Sequence, residues 1–334
     1  MSPRKKLLLL VLLSLALFFV ALFLGRYSIS PIVAFQVLLS KIIPLTPTWS
    51  SDVETVIFQV RLPRAIIAML VGAGLSISGA SYQGMFRNPL VSPDILGVSA
   101  AAGFGACLAI LFSESQVMLQ ILALLFGIVG VLLTYTISRV YKTTPVLMLV
   151  LSGVVVGAFF SSLIAITKYI ADPLYKLPSI TFWLMGGIST ASLRDIIVIF
   201  PAMLIGITGL LLVRWRINIL AMGDAEARSM GVRTELLKGI IILCSTLITA
   251  AAVSVSGIIG WVGLVIPHVA RMIVGPDHRV LLPASLAIGA AFLLVIDNIA
   301  RTVTASEIPL GIISGLIGAP FFAYLLRRTK GGWK

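Results

Sequence analysis

Few side chains in this sequence could do chemistry, and their spacing argues against catalysis. The two histidines, His268 and His278, stand ten residues apart, and the two cysteines, Cys107 and Cys244, fall far apart inside apolar segments. Neither pair has ligand spacing: there is no CxxC, and no histidine lies near either cysteine. The cysteines read as packing residues, and the histidines as structural or solvated groups. The sequence contains no GxxxxGK[ST] phosphate loop, no HExxH and no G-x-S-x-G nucleophile elbow. Acids are equally scarce, at 12 Asp and Glu in 334 residues. Asp297 is the exception inside an apolar stretch, four residues before Arg301, a spacing that allows a helical ion pair. A structural role for it is favoured over a proton relay. An ion-coupled secondary transporter, the competing function class, needs ionisable groups in mid-membrane, and they are largely missing. The chain is therefore expected to be no enzyme and to hold no metal or cofactor of its own.

The elements that position these residues follow from composition. With 59% hydrophobic and 11% charged residues and a mean hydropathy of +1.11, the chain lacks the polar surface of a soluble domain. The net charge of +13 comes from basic residues scattered singly through loops, with no nucleic-acid motif, so a nucleic-acid partner is excluded. About 20 apolar residues cross a bilayer core of about 30 Å as a helix. Ten such spans are read at Leu7–Leu24, Ala65–Tyr82, Ile95–Phe112, Val117–Ile137, Val146–Thr167, Ile196–Val213, Gly239–Ser256, Trp261–Val274, Leu281–Ile299 and Leu310–Leu326. The fold class is thus an all-α polytopic membrane protein, one transmembrane domain over residues 1–334. The first span exceeds a signal-peptide core and lacks a small-residue cleavage site, so it reads as a retained anchor.

Ten spans put both termini on one side. Only Arg26, Lys41, Arg61, Arg64, Lys168, Lys176, Arg194 and Arg301, out of 25 Lys and Arg, fall on the other. The positive-inside rule makes the terminal side cytoplasmic. A shift of 178 residues superposes Ser76, Ser78, Gly79, Pro89 and Val91 on Ser254, Ser256, Gly257, Pro267 and Val269. Five spans separate the copies, and an odd number inverts the second, so the sequence predicts an inverted internal repeat. Gly153 with Gly157 and Gly311 with Gly315 have the spacing of close helix packing.

Several loops carry more than turn chemistry. Residues 214–238 form the longest terminal-side polar segment. Within it Asp224 can cap a short helix over Ala225, Glu226, Ala227, Arg228, Ser229 and Met230, which Gly231 can close. Such a helix is either an apolar knob for a groove on another protein or an ordinary structured loop. Arg87-Asn88-Pro89 and Ser92-Pro93-Asp94 make a hairpin after the second span, with Ser92 as capping residue. Thr143 and Thr144 can line a narrow passage or cap the fifth span. Within Leu177–Gly187, Phe182 and Trp183 can serve as interfacial anchors. Arg61, Arg64 and Arg301 are expected to border water at the opposite membrane face, where arginines commonly anchor lipid headgroups.

The stretches RLPRAIIAMLVGAGLSISGASYQGMFRNPLVSPDILGVSAAAGFGA, MGDAEARSMGV, GIIGWVGLVIPHVARMIVGPDHR and DNIARTVTASEIPLGIISGLIGAP resemble the permease subunit of cobalamin, haem and ferric-siderophore ABC importers, the FecCD type. The likeness implies a bacterial plasma (inner) membrane permease that pairs with a second copy of itself, two ATP-binding subunits and an external substrate-binding protein. ATP and Mg would then sit on the partner ATPase, and the cargo would be a metal chelate, foremost a ferric siderophore. It further implies that Asp224 to Gly231 couple to the ATPase, that Thr143 and Thr144 stand at the cytoplasmic gate, and that Arg61, Arg64 and Arg301 receive carboxylates of the binding protein.

Overall fold

The computed structural model describes residues 2–44, 46–139, 144–304 and 306–328. Its helices in chain order are α1 (Pro3–Phe23), α2 (Pro31–Leu39), α3 (Ser51–Thr55), α4 (Leu62–Phe86), α5 (Val98–Phe112), α6 (Gln116–Ser138), α7 (Val146–Ile170), α8 (Lys176–Leu184), α9 (Leu193–Leu220), α10 (Asp224–Ser229), α11 (Thr234–Ser256), α12 (Val262–Val274), α13 (His278–Thr302) and α14 (Leu310–Arg328). Seven of the helical stretches are long and apolar enough to cross a membrane, and α5, α12 and α14 are shorter apolar helices. Together they account for the ten expected spans. The short α2, reading PIVAFQVLL, was not anticipated, although Pro31 at its first position is a helix-start signal.

The core forms around α4, which packs against α9, α11, α12 and α13. Small residues make this possible. A Cβ on Gly72 would lie 2.2 Å from the Gly289 carbonyl oxygen of α13, and one on Gly79 would lie 1.8 Å from that of Gly263 in α12. Lipid provides no hydrophobic drive for helix association, so close backbone approach and dispersion contacts must supply it. Gly153 does the same work in α7, resting on the Ile95 carbonyl, and Gly311 in α14 rests on that of Met185. By contrast α1 leaves Leu8, Leu9, Leu12 and Leu13 exposed, as a lipid-facing helix would.

The two halves share an order of helix lengths. Helices of 25, 15, 23 and 25 residues (α4 to α7) are echoed by helices of 23, 13, 25 and 19 (α11 to α14). The residues matched by the 178-residue shift occupy different local structure. Ser78 and Gly79 lie inside α4, whereas Gly257, at φ +63°, ends α11.

Candidate functional site

Two clusters, one at each end of the bundle, gather the predicted site residues. At the arginine end a π-helical stretch, Val56–Arg61, runs directly into α4. Arg61 donates from Nη1 to the Leu22 carbonyl at 3.0 Å and from Nη2 to that of Tyr27 at 2.5 Å. Gly25 leaves room for this guanidinium, since a Cβ there would come within 2.7 Å of Nη2. One turn on, Arg64 donates through Nε to Asp297 Oδ1 at 2.8 Å, with Nη2 2.7 Å from the same oxygen. Its Nη1 donates to both Glu307 oxygens, at 2.9 Å each. Arg301 donates from Nη2 to the Ala21 carbonyl at 2.7 Å and to Asn298 Oδ1 at 2.5 Å. Arg26 reaches the same corner, donating to the carbonyls of Arg301 and Thr304.

This arrangement corrects the expectation that the three arginines border water. Arg61, Arg64 and Arg301 are 3%, 5% and 8% exposed. A buried charge is tolerated only when paired and hydrogen-bonded, and each of these side chains is held by carbonyls or carboxylates of its own chain. The helical pair anticipated between Asp297 and Arg301 is a long one, 3.8 Å, because Asp297 turns its short contacts to Arg64. Sequence spacing could find the Arg301 partner four residues away. It could not find Arg64, which is 233 positions distant, nor Glu307 on the α13–α14 linker.

At the other end α10 packs on α9 and α11. Gly223, at φ +139°, precedes it and occupies the N-cap position that the sequence assigns to Asp224. Asp224 instead begins the helix, and its carboxylate accepts from Lys238 Nζ at 2.5 Å. Ala227 is buried beneath α10, while Ala225, Glu226, Arg228, Ser229, Met230 and Gly231 are exposed. Gly231, at φ +79°, closes the turn as anticipated, with Val232 N–H donating to the Ala227 carbonyl at 2.9 Å. Lys238 itself is buried in α11 and also approaches Glu235, at 3.7 Å, and the Thr144 carbonyl, at 3.4 Å.

Of the two gate candidates, Thr143 lies outside the described residues. Thr144 is buried, and both its backbone N–H (3.0 Å) and its hydroxyl donate to Glu235 Oε2. Glu235 and Lys238, one turn apart on α11, thus hold Thr144 on one side and α10 on the other. Local sequence around Glu235 and Lys238 signals neither contact, since Thr144 lies about 90 positions away.

Elsewhere, Ser92 makes no capping hydrogen bond; Arg87, at φ +52°, ends α4, and the Ser99 hydroxyl donates to Asp94. Burial pushes the Asp94 carboxyl above the ordinary carboxylate range. Asp277 caps α13, and the Arg279 N–H holds its carboxyl below that range, helped by Asn218. His278 is buried and bonded to Asn218. The short helix α8 is present, with Phe182 exposed. Its following linker is tied to two spans, Gly187 N–H donating to the Ser256 carbonyl and Leu310 N–H to that of Gly186. Among the described residues no group of three or more His, Cys, Asp or Glu could hold a metal ion.

Comparison with known proteins agrees with this architecture. Residues 10–328 match the model described as the FecCD transport family. The molybdate import system permease protein MolB of Haemophilus influenzae is 41% identical over 94% of this chain and 92% of its own. A permease protein of an iron chelatin transport system of Helicobacter pylori is 45% identical over 84% of this chain and 85% of its own. Among solved structures, an inward-facing conformation of a metal-chelate type ABC transporter superposes with a TM-score of 0.87 at 40% identity, covering 97% of this chain and 99% of that one.

Proposed function

On the premise that the chain belongs to the FecCD transport family and is a permease subunit of an ABC importer, without ATPase activity of its own, we propose that it imports a ferric chelate as a homodimer. The partners of that dimer are two ATP-binding subunits, which hold the ATP and Mg, and an external binding protein. The observation that carries the coupling assignment is α10. It is a short helix with an exposed apolar residue at its C-cap, Met230 at 57% exposure, and it is fixed to a spanning helix through Lys238. Movement of a groove that seats α10 is transmitted to α11, and through Glu235 to Thr144, the residue proposed for the cytoplasmic gate.

Both termini and α10 are placed in the cytoplasm, on the charge distribution of the loops. A cysteine at Thr48 is then labelled by impermeant thiol reagents from outside, and one at Ser229 only after the membrane is opened. The reverse pattern sinks this topology.

Arg61, Arg64 and Arg301 are assigned to docking the binding protein. A guanidinium stays charged and can grip a carboxylate through two parallel hydrogen bonds. Because these groups are buried, charge reversal would confound docking with folding. Arg61→Gln and Arg64→Lys are the sharper variants, each expected to weaken binding-protein affinity in nanodiscs while the permease still unfolds cooperatively. Unchanged affinity in both removes the assignment.

For cargo, the Helicobacter relative supports a ferric chelate, and the Haemophilus relative supports molybdate as the second reading. Uptake into proteoliposomes that hold the permease–ATPase complex, with ATP inside and the external binding protein outside, decides: radiolabelled ferric siderophore accumulates and molybdate does not. Accumulation of molybdate alone reverses the choice.

A further inference from the structure

Glu307 occupies the side of Arg64 that a docking carboxylate would need. The five N–H groups of a guanidinium form a planar fork. In Arg64 the Nε and Nη2 edge is taken by Asp297, and Nη1 is taken by Glu307. The two acids differ in kind. Asp297 sits inside α13 with its side chain 1% exposed, whereas the Glu307 side chain is 33% exposed. Glu307 also belongs to a linker rather than a helix. That linker is held to its surroundings independently of the carboxylate, by Arg26 donating to the Thr304 carbonyl at 2.5 Å and by Ile308 N–H donating to that of Ala300 at 3.3 Å. The Glu307 side chain can therefore leave Arg64 without unwinding α13, and Asp297 remains to pair the buried charge.

We propose that Glu307 is an internal occupant of the docking position. It is a carboxylate of the permease that pairs the outer edge of Arg64 until an acidic side chain of the external binding protein displaces it. The proposal rests on the docking assignment of the arginines. It makes Glu307 a fourth residue of that interface, one that sets the affinity rather than adding to it. While Glu307 holds Arg64, the site is incompetent, and apparent affinity falls in proportion to the competent fraction. A permease so built keeps a buried guanidinium satisfied when undocked and yields it only to a carboxylate that competes successfully.

The test measures binding of the purified external binding protein to the permease–ATPase complex in nanodiscs, at low and high salt. Glu307→Gln is expected to tighten binding about ten-fold, as for a site released from roughly 90% internal occupancy. Glu307→Asp, which keeps the charge but shortens the reach to Arg64, is expected to tighten binding less, and it carries the test alone if the neutral variant does not fold. Glu54→Gln removes an acid elsewhere at the same end, in the exposed pair with Lys41, and is expected to change nothing. If Arg61→Gln and Arg64→Lys weaken binding but neither Glu307 variant tightens it, the competition is refuted and the docking assignment stands. If Glu307→Gln and Glu54→Gln tighten binding equally, and only at low salt, the effect is long-range repulsion and the competition is again refuted. If the arginine variants themselves bind normally, the docking assignment falls and takes this inference with it.

Discussion

The two ends of the bundle, proposed to meet the binding protein and the ATPase, are built in opposite ways. At the arginine end, charges are buried and locked to one another. Arg64 lies between Asp297 and Glu307, while Arg61 is spent on backbone carbonyls and Arg301 on the Ala21 carbonyl and the Asn298 side chain. At the α10 end an apolar residue, Met230, is exposed at the helix C-cap, and the buried Lys238 helps fasten the helix to α11. At one end charge is desolvated, and the Asp297 partner in particular is hard to remove. The other presents an exposed apolar knob whose loss costs the fold little. Mutations at the arginine end should therefore act first on stability, and mutations on α10 first on association.

The hardest test of that contrast is Asp297→Ala. Removing one member of a buried ion pair leaves an uncompensated charge and costs about 3–5 kcal/mol, so thermal unfolding of the purified permease in detergent should shift down by several degrees or more. A melting temperature matching wild type would show that the arginine cluster is solvated and would erase the contrast. Met230→Asp should behave in the opposite way. Its melting curve stays unchanged because the side chain is exposed, while co-purification with the ATPase falls by tenfold or more, the order expected when a charge must enter an apolar groove at a cost of about 2 kcal/mol. Normal association would disqualify α10 as the coupling element.

Asp277→Ala tests an ordinary structural feature at the α10 end. Loss of the α13 cap is expected to cost about 1 kcal/mol. Because the folded carboxyl titrates below its ordinary range, the charged cap contributes at neutral pH. Its contribution fades as pH falls through the depressed folded value. The melting difference between wild type and Asp277→Ala should accordingly shrink in acid. The smallest effect belongs to Lys41→Gln. The Lys41–Glu54 pair is 2.7 Å long, but its side chains are 58% and 39% exposed, so its loss should cost less than about 0.5 kcal/mol and vanish in high salt. A loss comparable to that of Asp297→Ala would mean that burial is not what separates the two pairs.

Much of this molecule could be read from the chain itself. The ten spans follow from apolar length, because lipid forces every backbone group to pair within its own helix. The α10 turn was legible from Gly231 and the acids at its start, and the close helix contacts from Gly153 and Gly311, because helix geometry makes such signals local. Burial of the arginines and the identity of their partners belong to the tertiary structure. Arg64 and Asp297 are brought together by the packing of α4 on α13, which Gly72 and Gly289 permit through backbone contact. Glu307 reaches Arg64 only because α13 ends beside the start of α4. Likewise, the link from α10 through Lys238 and Glu235 to Thr144 joins three stretches of chain that local signals describe one at a time. Hydropathy and turn chemistry act over a few residues and are written locally. Ion pairs between helices depend on which helices pack and in what register, and only the folded chain decides that.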